Sequence, residues 1–199
     1  MKSVLISIRP KWVEKIASGK KTIEVRKTAP QEVPFKAYIY CTKGKDGYEW
    51  LDRVDNNGYG KAQSWHGKVI GEFICDWIAK ITPHCDIDGF VNQYIHGYPA
   101  ILGDNACLSF NDMKAYLGNK KGYDWHISDL KIYDKPKELR EFKKTKEIIA
   151  RTCGMQAKNG LCRAIDHEEL CDNINCCFKT PCPPQSWCYV EALEEIEKC

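Results

Sequence analysis

The alternation of hydrophobic and polar residues at the start of the chain predicts a strand followed by a short helix. Val4 to Ile8 is a β-rich run that predicts the first strand. Pro10 stands where a helix can begin, because the N–H that proline lacks would have no partner in the first turn. Gly19 supplies a C-terminal stop. Between the two, four apolar residues share one helical face: Trp12, Val13, Ile16 and Ala17.

The residues after Gly19 predict a second strand with one apolar and one polar face. Side chains alternate between the two faces of a strand, so residues two apart share a face. In the run from Thr22 to Arg26, we expect Ile23 and Val25 to point inward and Thr22, Glu24 and Arg26 to point outward.

Further strands and one more helix are predicted along the rest of the chain. The strands are Phe35 to Cys41, a long strand from Val69 to Ile81 that bends at Gly71, Tyr123 to Ile132 with a break near Asp129, and Trp187 to Val190. Residues 43–66, rich in Gly, Asn and Asp, predict a long loop. Phe110 to Leu117 predicts a helix capped by Asn111, and Lys135-Pro136 predicts a further short helix or turn.

These elements predict an α+β fold that is mostly β, arranged as a small β-barrel with short flanking helices. We expect the barrel to occupy residues 1–150 and a Cys-rich insertion to occupy residues 151–182. Residues 183–199 would then supply the final barrel strand and an acidic tail.

Charge is distributed unevenly along the chain. The net charge of the 199 residues is only +3, but residues 1–45 hold eleven Lys and Arg against three Glu. The remainder holds nineteen basic and twenty-four acidic residues. Such asymmetry predicts a basic face for an anionic partner, and the alternative is a solvated surface rich in lysine.

The chain contains neither a recognisable signal peptide nor an apolar stretch long enough to cross a membrane. Arg9 and Pro10 end the first apolar run too early for a signal peptide. We therefore expect a cytoplasmic protein with no membrane partner. In that compartment thiols remain reduced, so the twelve cysteines are expected to be free thiols or metal ligands.

Half of the cysteines lie in residues 153–182, where they could form a structural zinc site. We take Cys153, Cys171, Cys177 and Cys182 as the candidate ligands, although no C-x2-C pair is present. A small insertion with few apolar residues gains stability from a metal. Disulfides formed after purification and unliganded thiols are the alternatives, and no cofactor is expected to be required.

Basic and acidic side chains concentrate between Gly19 and Arg26, which makes this segment the candidate binding site. The guanidinium of Arg26 suits phosphate or carboxylate, and Glu24 could orient the neighbouring cations or act as a general base. We predict an anion pocket built from Arg9, Lys20, Lys21, Thr22, Glu24 and Arg26. Trp125 is the candidate for stacking on an unpaired base, whereas His126 beside it is expected to be a structural hydrogen-bonding residue.

Three sequence segments resemble the ASCH domain family of the PUA-like superfamily. They are Ser7 to Trp12, the G-x-K-T-I-E-x-R pattern from Gly19 to Arg26, and Val69 to Phe73. Tyr123 to Ile127 and the ending from Pro183 to Val190, which is similar to that of phage-borne members, follow in the expected order. The resemblance implies a PUA-like barrel and RNA binding.

Some small bacterial members of that family are amidohydrolases that remove the acetyl group of N4-acetylcytidine. The resemblance places their lysine at Lys21 and their threonine at the position that Glu24 occupies here. It therefore implies Lys21 and Glu24 as catalytic candidates. Our leading hypothesis is binding of RNA or a nucleotide-like ligand. The alternatives are amide hydrolysis on a modified nucleoside, and a protein-interaction module that uses the Cys-rich insertion.

Overall fold

The computed structural model describes residues 1–43, 65–84, 89–92, 100–101, 104–145 and 183–193. Within these residues the chain forms ten strands and two α-helices. The helices are α1 (Pro10–Ala17) and α2 (Phe110–Leu117). The strands are β1 (Lys2–Ile8), β2 (Ile23–Arg26), β3 (Phe35–Cys41), β4 (Lys68–Cys75), β5 (Ile78–His84), β6 (Gly89–Asn92), β7 (Ala100–Ile101), β8 (Gly122–His126), β9 (Ser128–Glu138) and β10 (Trp187–Val190).

The strands form two five-stranded sheets. The first has the order β10-β1-β3-β4-β9, and the second has the order β2-β8-β5-β6-β7. Strands β1 and β3 run parallel, and the other pairs are antiparallel. The prediction of a mostly β α+β fold is confirmed. In place of the predicted closed barrel, the described strands form two sheets that no strand pairing joins.

Two of the predicted strands each divide between the two sheets, and only the second of them was predicted to break, near Asp129. The predicted strand from Val69 to Ile81 is β4 in the first sheet and β5 in the second, separated by Asp76 and Trp77. The predicted strand from Tyr123 to Ile132 divides in the same way at Ile127. An apolar run gives no sign of such a crossing, because both halves are buried in their own sheet.

The predicted bend at Gly71 corresponds to a close approach between β4 and β9. A Cβ atom at Gly71 would lie 2.4 Å from the carbonyl oxygen of Lys131, which is closer than carbon and oxygen tolerate. The pairing of β4 with β9 shifts register on both sides of this glycine. The absence of a side chain is therefore required here for the two strands to pack.

Both helices have the bounds that the sequence predicted, but α2 has a different cap. The cap residue is Ser109 rather than Asn111. The hydroxyl of Ser109 accepts a hydrogen bond from the backbone N–H of Asp112, and the carboxylate of Asp112 accepts one from the backbone N–H of Ser109. Ser109 precedes the helix in extended geometry, which a cap requires. Lys135-Pro136 lies within β9 rather than in a helix or turn.

Strand β2 lies between two apolar clusters, and this placement positions the site. The larger cluster joins α1 to the first sheet and includes Trp125. The smaller cluster contains Ile23, Val25, Ile81, Ala106, Met113 and Leu117. Both faces of β2 are therefore covered. Among the described residues, neither helix has the length or the apolar composition to cross a membrane.

Candidate functional site

The polar face of β2 is buried, which corrects the expectation that it points to solvent. The side chain of Lys21 is 1% exposed, that of Glu24 is 8% exposed and that of Arg26 is 7% exposed. A strand at the surface would expose this face, but β2 packs between the two clusters. Three charged groups are thus held away from water, where an unpaired charge would be costly.

The three buried charges form one connected group, here called the Lys21–Glu24–Arg26 triad. One carboxylate oxygen of Glu24 lies 3.4 Å from the Lys21 ammonium, and the other lies 3.0 Å from the Arg26 guanidinium. The Lys21 ammonium also donates to the carbonyl oxygen of Ala106 at 2.6 Å. Arg26 donates to the carbonyl oxygen of Ser7 at 2.7 Å. Glu24 therefore fixes both cations, and its own charge is fully paired.

The segment before β10 is attached to the triad and to the end of β1. The backbone N–H of Ser7 donates to the carbonyl of Ser186 at 2.9 Å, and the Ser7 hydroxyl donates to the carbonyl of Pro184 at 2.6 Å. Arg26 also donates to the Ser186 hydroxyl at 3.4 Å. The chain from Pro183 to Ser186 is thereby held as one wall of the site.

A cleft of about 1020 Å³ opens above the triad, between α1, α2 and the segment before β10. Four of the predicted binding residues line it, namely Arg9, Lys21, Glu24 and Arg26. Two others do not. Lys20 is exposed elsewhere, and Thr22 is engaged through its backbone with Asn105 and Ile127. The structure therefore brings together most, but not all, of the predicted pocket.

The charged residues that line the cleft are mostly basic. Five are basic and two are acidic: Arg9, Lys11, Lys21, Arg26 and Lys43 against Glu24 and Asp112. Three aromatic residues, Trp12, Tyr40 and Tyr116, line the cleft as well. The combination of cations with ring faces is suited to an anion that carries a planar group.

Trp12 is the ring most closely surrounded by cations. The ammonium of Lys11 lies 4.4 Å from its ring centroid, that of Lys21 lies 5.4 Å away, and that of Lys15 lies 5.6 Å away. The sequence predicted Trp12 only as a member of the buried helix face. Lys11, the residue before Trp12, also lines the cleft. The adjacency of a lysine and a tryptophan in the sequence could therefore have indicated a role for Trp12 in the site.

Trp125 does not present a ring to the cleft, which corrects its predicted role in stacking. Its side chain is fully buried and packs edge-on against Phe35 at 5.1 Å and Trp187 at 5.7 Å. His126 has the structural role that was expected: its Nδ1 lies 2.6 Å from a carboxylate oxygen of Asp76. Its ring also stacks on that of Trp77, with centroids 4.9 Å apart.

Asp124 is a buried carboxyl that the sequence analysis did not single out. The residue is 1% exposed, and neither carboxyl oxygen has a hydrogen-bond partner among the described residues. Burial raises the pKa of Asp124 to about 7, and the charge of Lys21 opposes this rise. Asp124 and Trp125 are consecutive in the strand and point to opposite faces, so burial of Trp125 would predict that Asp124 lies at the surface. The polar composition of β2, the strand that pairs with β8, is the sequence feature that could have indicated a buried carboxyl group here.

The predicted zinc ligands Cys153, Cys171, Cys177 and Cys182 lie outside the described residues. Within the described part of the chain, His, Cys, Asp and Glu side chains form no group of three placed to hold a metal. Cys41 and Cys75 are buried there, and burial raises the pKa of each thiol to about 12. Both thiols are therefore protonated at neutral pH.

Comparison with known proteins gives matches at the level of structure. No family model and no curated protein matches the chain. The ASCH protein from Zymomonas mobilis is 18% identical, with a TM-score of 0.46 over 96% of this chain and 88% of that chain. A serine-to-alanine variant of the same protein superposes with a TM-score of 0.51, at 18% identity, over 96% of this chain and 89% of that chain. The chain therefore has the fold of an ASCH protein.

Proposed function

We propose that the cleft binds single-stranded RNA or a nucleotide-like ligand. The observation that carries the proposal is the cationic floor formed by Lys21 and Arg26, fixed in place by one buried carboxylate. Cations that are already oriented lose little conformational freedom when an anion arrives. The resemblance to ASCH domains, a family proposed to bind RNA, points the same way.

An unpaired buried donor on a residue that lines the cleft supports an anionic ligand. Arg26 lines the cleft, and its Nε–H is buried with no hydrogen-bond partner among the described residues. The two terminal nitrogens of the same guanidinium are engaged by Glu24, Ser7 and Ser186. An unmet buried donor costs about 1–3 kcal/mol, which a ligand oxygen would offset.

Aromatic residues on the walls favour an unpaired base over a duplex. Trp12 on α1 and Tyr116 on α2 both line the cleft, and Tyr116 is 38% exposed. The ammonium of Lys27 lies 5.0 Å from the Tyr116 ring, so this ring also has a cation beside it. Bases that are free of a helix stack on such rings, whereas the bases of a duplex are already stacked on one another.

The geometry favours binding over amide hydrolysis at Lys21. A lysine nucleophile must be neutral, and neutrality is favoured by apolar burial or by nearby cations without a compensating anion. Lys21 donates to a carbonyl oxygen and lies beside Glu24, and both are acceptors suited to an ammonium. We therefore assign Lys21 to anion binding, and Glu24 to holding the two cations in position.

Removing two cations from the rim of the cleft tests the proposal. We expect the double variant Arg9→Ala/Lys11→Ala to bind a fluorescein-labelled single-stranded RNA more weakly than wild type. If each side chain neutralises one phosphate, the slope of log affinity against log salt becomes shallower by about 1.4. Fluorescence anisotropy over a series of KCl concentrations measures both quantities.

The matched control removes the same charge elsewhere. Lys120 and Lys135 are exposed and do not line the cleft, so Lys120→Ala/Lys135→Ala should retain the salt slope of wild type. Equal slopes in all three proteins would contradict binding in the cleft. Absence of any salt-dependent binding by wild type would contradict the proposed function itself.

A further inference from the structure

Asp124 is buried next to the cleft without lining it, because its register partner on β2, Val25, is one of the residues that line the cleft. Its register partners on the neighbouring strands are Val25 of β2 and Ala79 of β5, and both are apolar. The smaller cluster, to which Val25 belongs, also contains Met113 and Leu117 of α2. A carboxyl group without a hydrogen bond is disfavoured in such a place when it is ionised, because neither water nor a donor stabilises its charge.

The charged group that acts on Asp124 most directly is Lys21. Other charged residues of the packed strands lie on the opposite face. Glu24 and Arg26 of β2 pair with Trp125 and Tyr123, and Lys80 of β5 pairs with Tyr123. The nearest titratable group on the same face of β8 is His126, which is bonded to Asp76. On α2, Asp112 is exposed and occupied by the capping interaction with Ser109.

The protonation state of Asp124 therefore sets the net charge of the floor of the cleft. Lys21 and Arg26 contribute two positive charges and Glu24 contributes one negative charge, so the triad carries +1. When Asp124 is ionised, the net charge of the four groups is zero, whereas it is +1 when Asp124 is protonated. An anion in the cleft is attracted more strongly in the second case, because the other cations that line the cleft, Arg9, Lys11 and Lys43, act in both.

We propose that the cleft takes up a proton on Asp124 when it binds an anion, so that RNA binding is coupled to pH. This inference rests on the proposed function, and adds a regulatory group that does not itself contact the cleft. Linkage requires reciprocity: if protonation favours the anion, the anion favours protonation by the same factor. Because burial already raises the pKa of Asp124 to about 7, the coupling acts near neutral pH.

Binding of RNA at two pH values tests the inference. The probe is a short single-stranded RNA labelled with tetramethylrhodamine, whose charge is constant over this range, and without a terminal phosphate, because a phosphate monoester would itself titrate near pH 6. At constant ionic strength, we expect wild type to bind on the order of ten-fold more weakly at about pH 8 than at about pH 6. Asp124→Asn, which is neutral throughout, should bind with equal affinity at both pH values and close to wild type at the lower one.

The controls separate the effect of Asp124 from that of other ionisable side chains. Asp129→Asn removes an exposed carboxylate near the start of β9, and His66→Gln and His126→Gln each remove an imidazole from the described part of the chain. All three should retain the pH dependence of wild type. Equal pH dependence in wild type and Asp124→Asn would overturn the inference.

Calorimetry of wild type alone provides a measurement that does not depend on folding of the variant. The RNA is titrated near pH 7 in two buffers with different ionisation enthalpies, and the difference in observed enthalpy gives the protons taken up. We expect net proton uptake. Binding without proton uptake would overturn the inference and leave the proposed function intact. Absence of RNA binding at either pH would overturn both.

Discussion

Glu24→Gln is expected to destabilise the protein by about 3–5 kcal/mol, the usual cost of breaking a buried ion pair by removing one partner. The substitution preserves shape and removes only the charge. Lys21 and Arg26 would then be two buried cations without a paired anion, because the carboxylate that lies within 3.4 Å of both has been replaced by a neutral amide. Urea denaturation at neutral pH measures the loss.

The chain offers a matched control for this substitution. Glu32 forms an ion pair with Lys2 at 2.9 Å, but the side chains are 67% and 54% exposed. Exposed pairs contribute about 0–1 kcal/mol because water and salt screen them. Glu32→Gln should therefore have little effect. A loss for Glu24→Gln no larger than that for Glu32→Gln would mean that the triad does not stabilise the fold.

Asp124→Asn is expected to stabilise the protein at neutral and alkaline pH, with the effect disappearing in acid. The folded-state pKa of Asp124 is raised to about 7, above the value near 4 expected in the unfolded chain. Between these values the folded state binds more protons than the unfolded state, so the contribution of Asp124 to stability falls as pH rises toward 7. The full loss is on the order of 4 kcal/mol, at about 1.4 kcal/mol for each of three pKa units.

Comparison of Asp124→Asn with wild type over a pH series isolates this contribution, because the other carboxyl groups cancel in the difference. The free energy of unfolding should be similar for the two proteins near pH 4. It should be higher for the variant by about 4 kcal/mol near pH 8. Asp129→Asn, at an exposed position with a positive φ that Asn tolerates, should show no such trend. A constant difference between Asp124→Asn and wild type would argue against a raised pKa.

The sequence predicted those elements whose signals are local. Strand β3 and both helices have the bounds that were predicted, because an apolar period and a flanking Pro or Gly determine them within a few residues. The crossings between sheets at Asp76–Trp77 and at Ile127 were not predicted. Both depend on which distant strand each half pairs with, and no local pattern carries that information.

The sequence predicted most of the charged residues of the candidate site, but it did not predict that they are buried. Gly19 to Arg26 does supply four residues of the cleft, yet alternation suggested that Glu24 and Arg26 face solvent. A strand buried on both faces usually appears as a continuous apolar run, and β2 instead buries ion-paired polar residues. Trp125 was taken as the candidate for stacking on a base for a related reason: a sequence does not distinguish a ring that packs in the core from a ring that stacks on a ligand.

The buried charges also explain why binding is the better-supported activity. A floor of paired charges beneath an open, mostly basic cleft is preorganised for an anion, and preorganised groups contribute to affinity without a cost of rearrangement. The two walls add rings, Trp12 on α1 and Tyr116 on α2. In the same arrangement the Lys21 ammonium is bonded to the carbonyl oxygen of Ala106 and paired with Glu24. Lys21 would have to break these interactions to act as a nucleophile.

The most direct test of the central claim is to locate a bound RNA on the protein. A single-stranded RNA that carries 5-iodouridine is irradiated with wild type, and the cross-linked peptides are identified by mass spectrometry. Binding in the cleft predicts cross-links at Trp12 or Tyr116, the rings of its two walls. These cross-links should diminish in Arg9→Ala/Lys11→Ala. Cross-links confined to residues outside the cleft, such as the exposed Trp77, would contradict the assignment of this cleft as the RNA site.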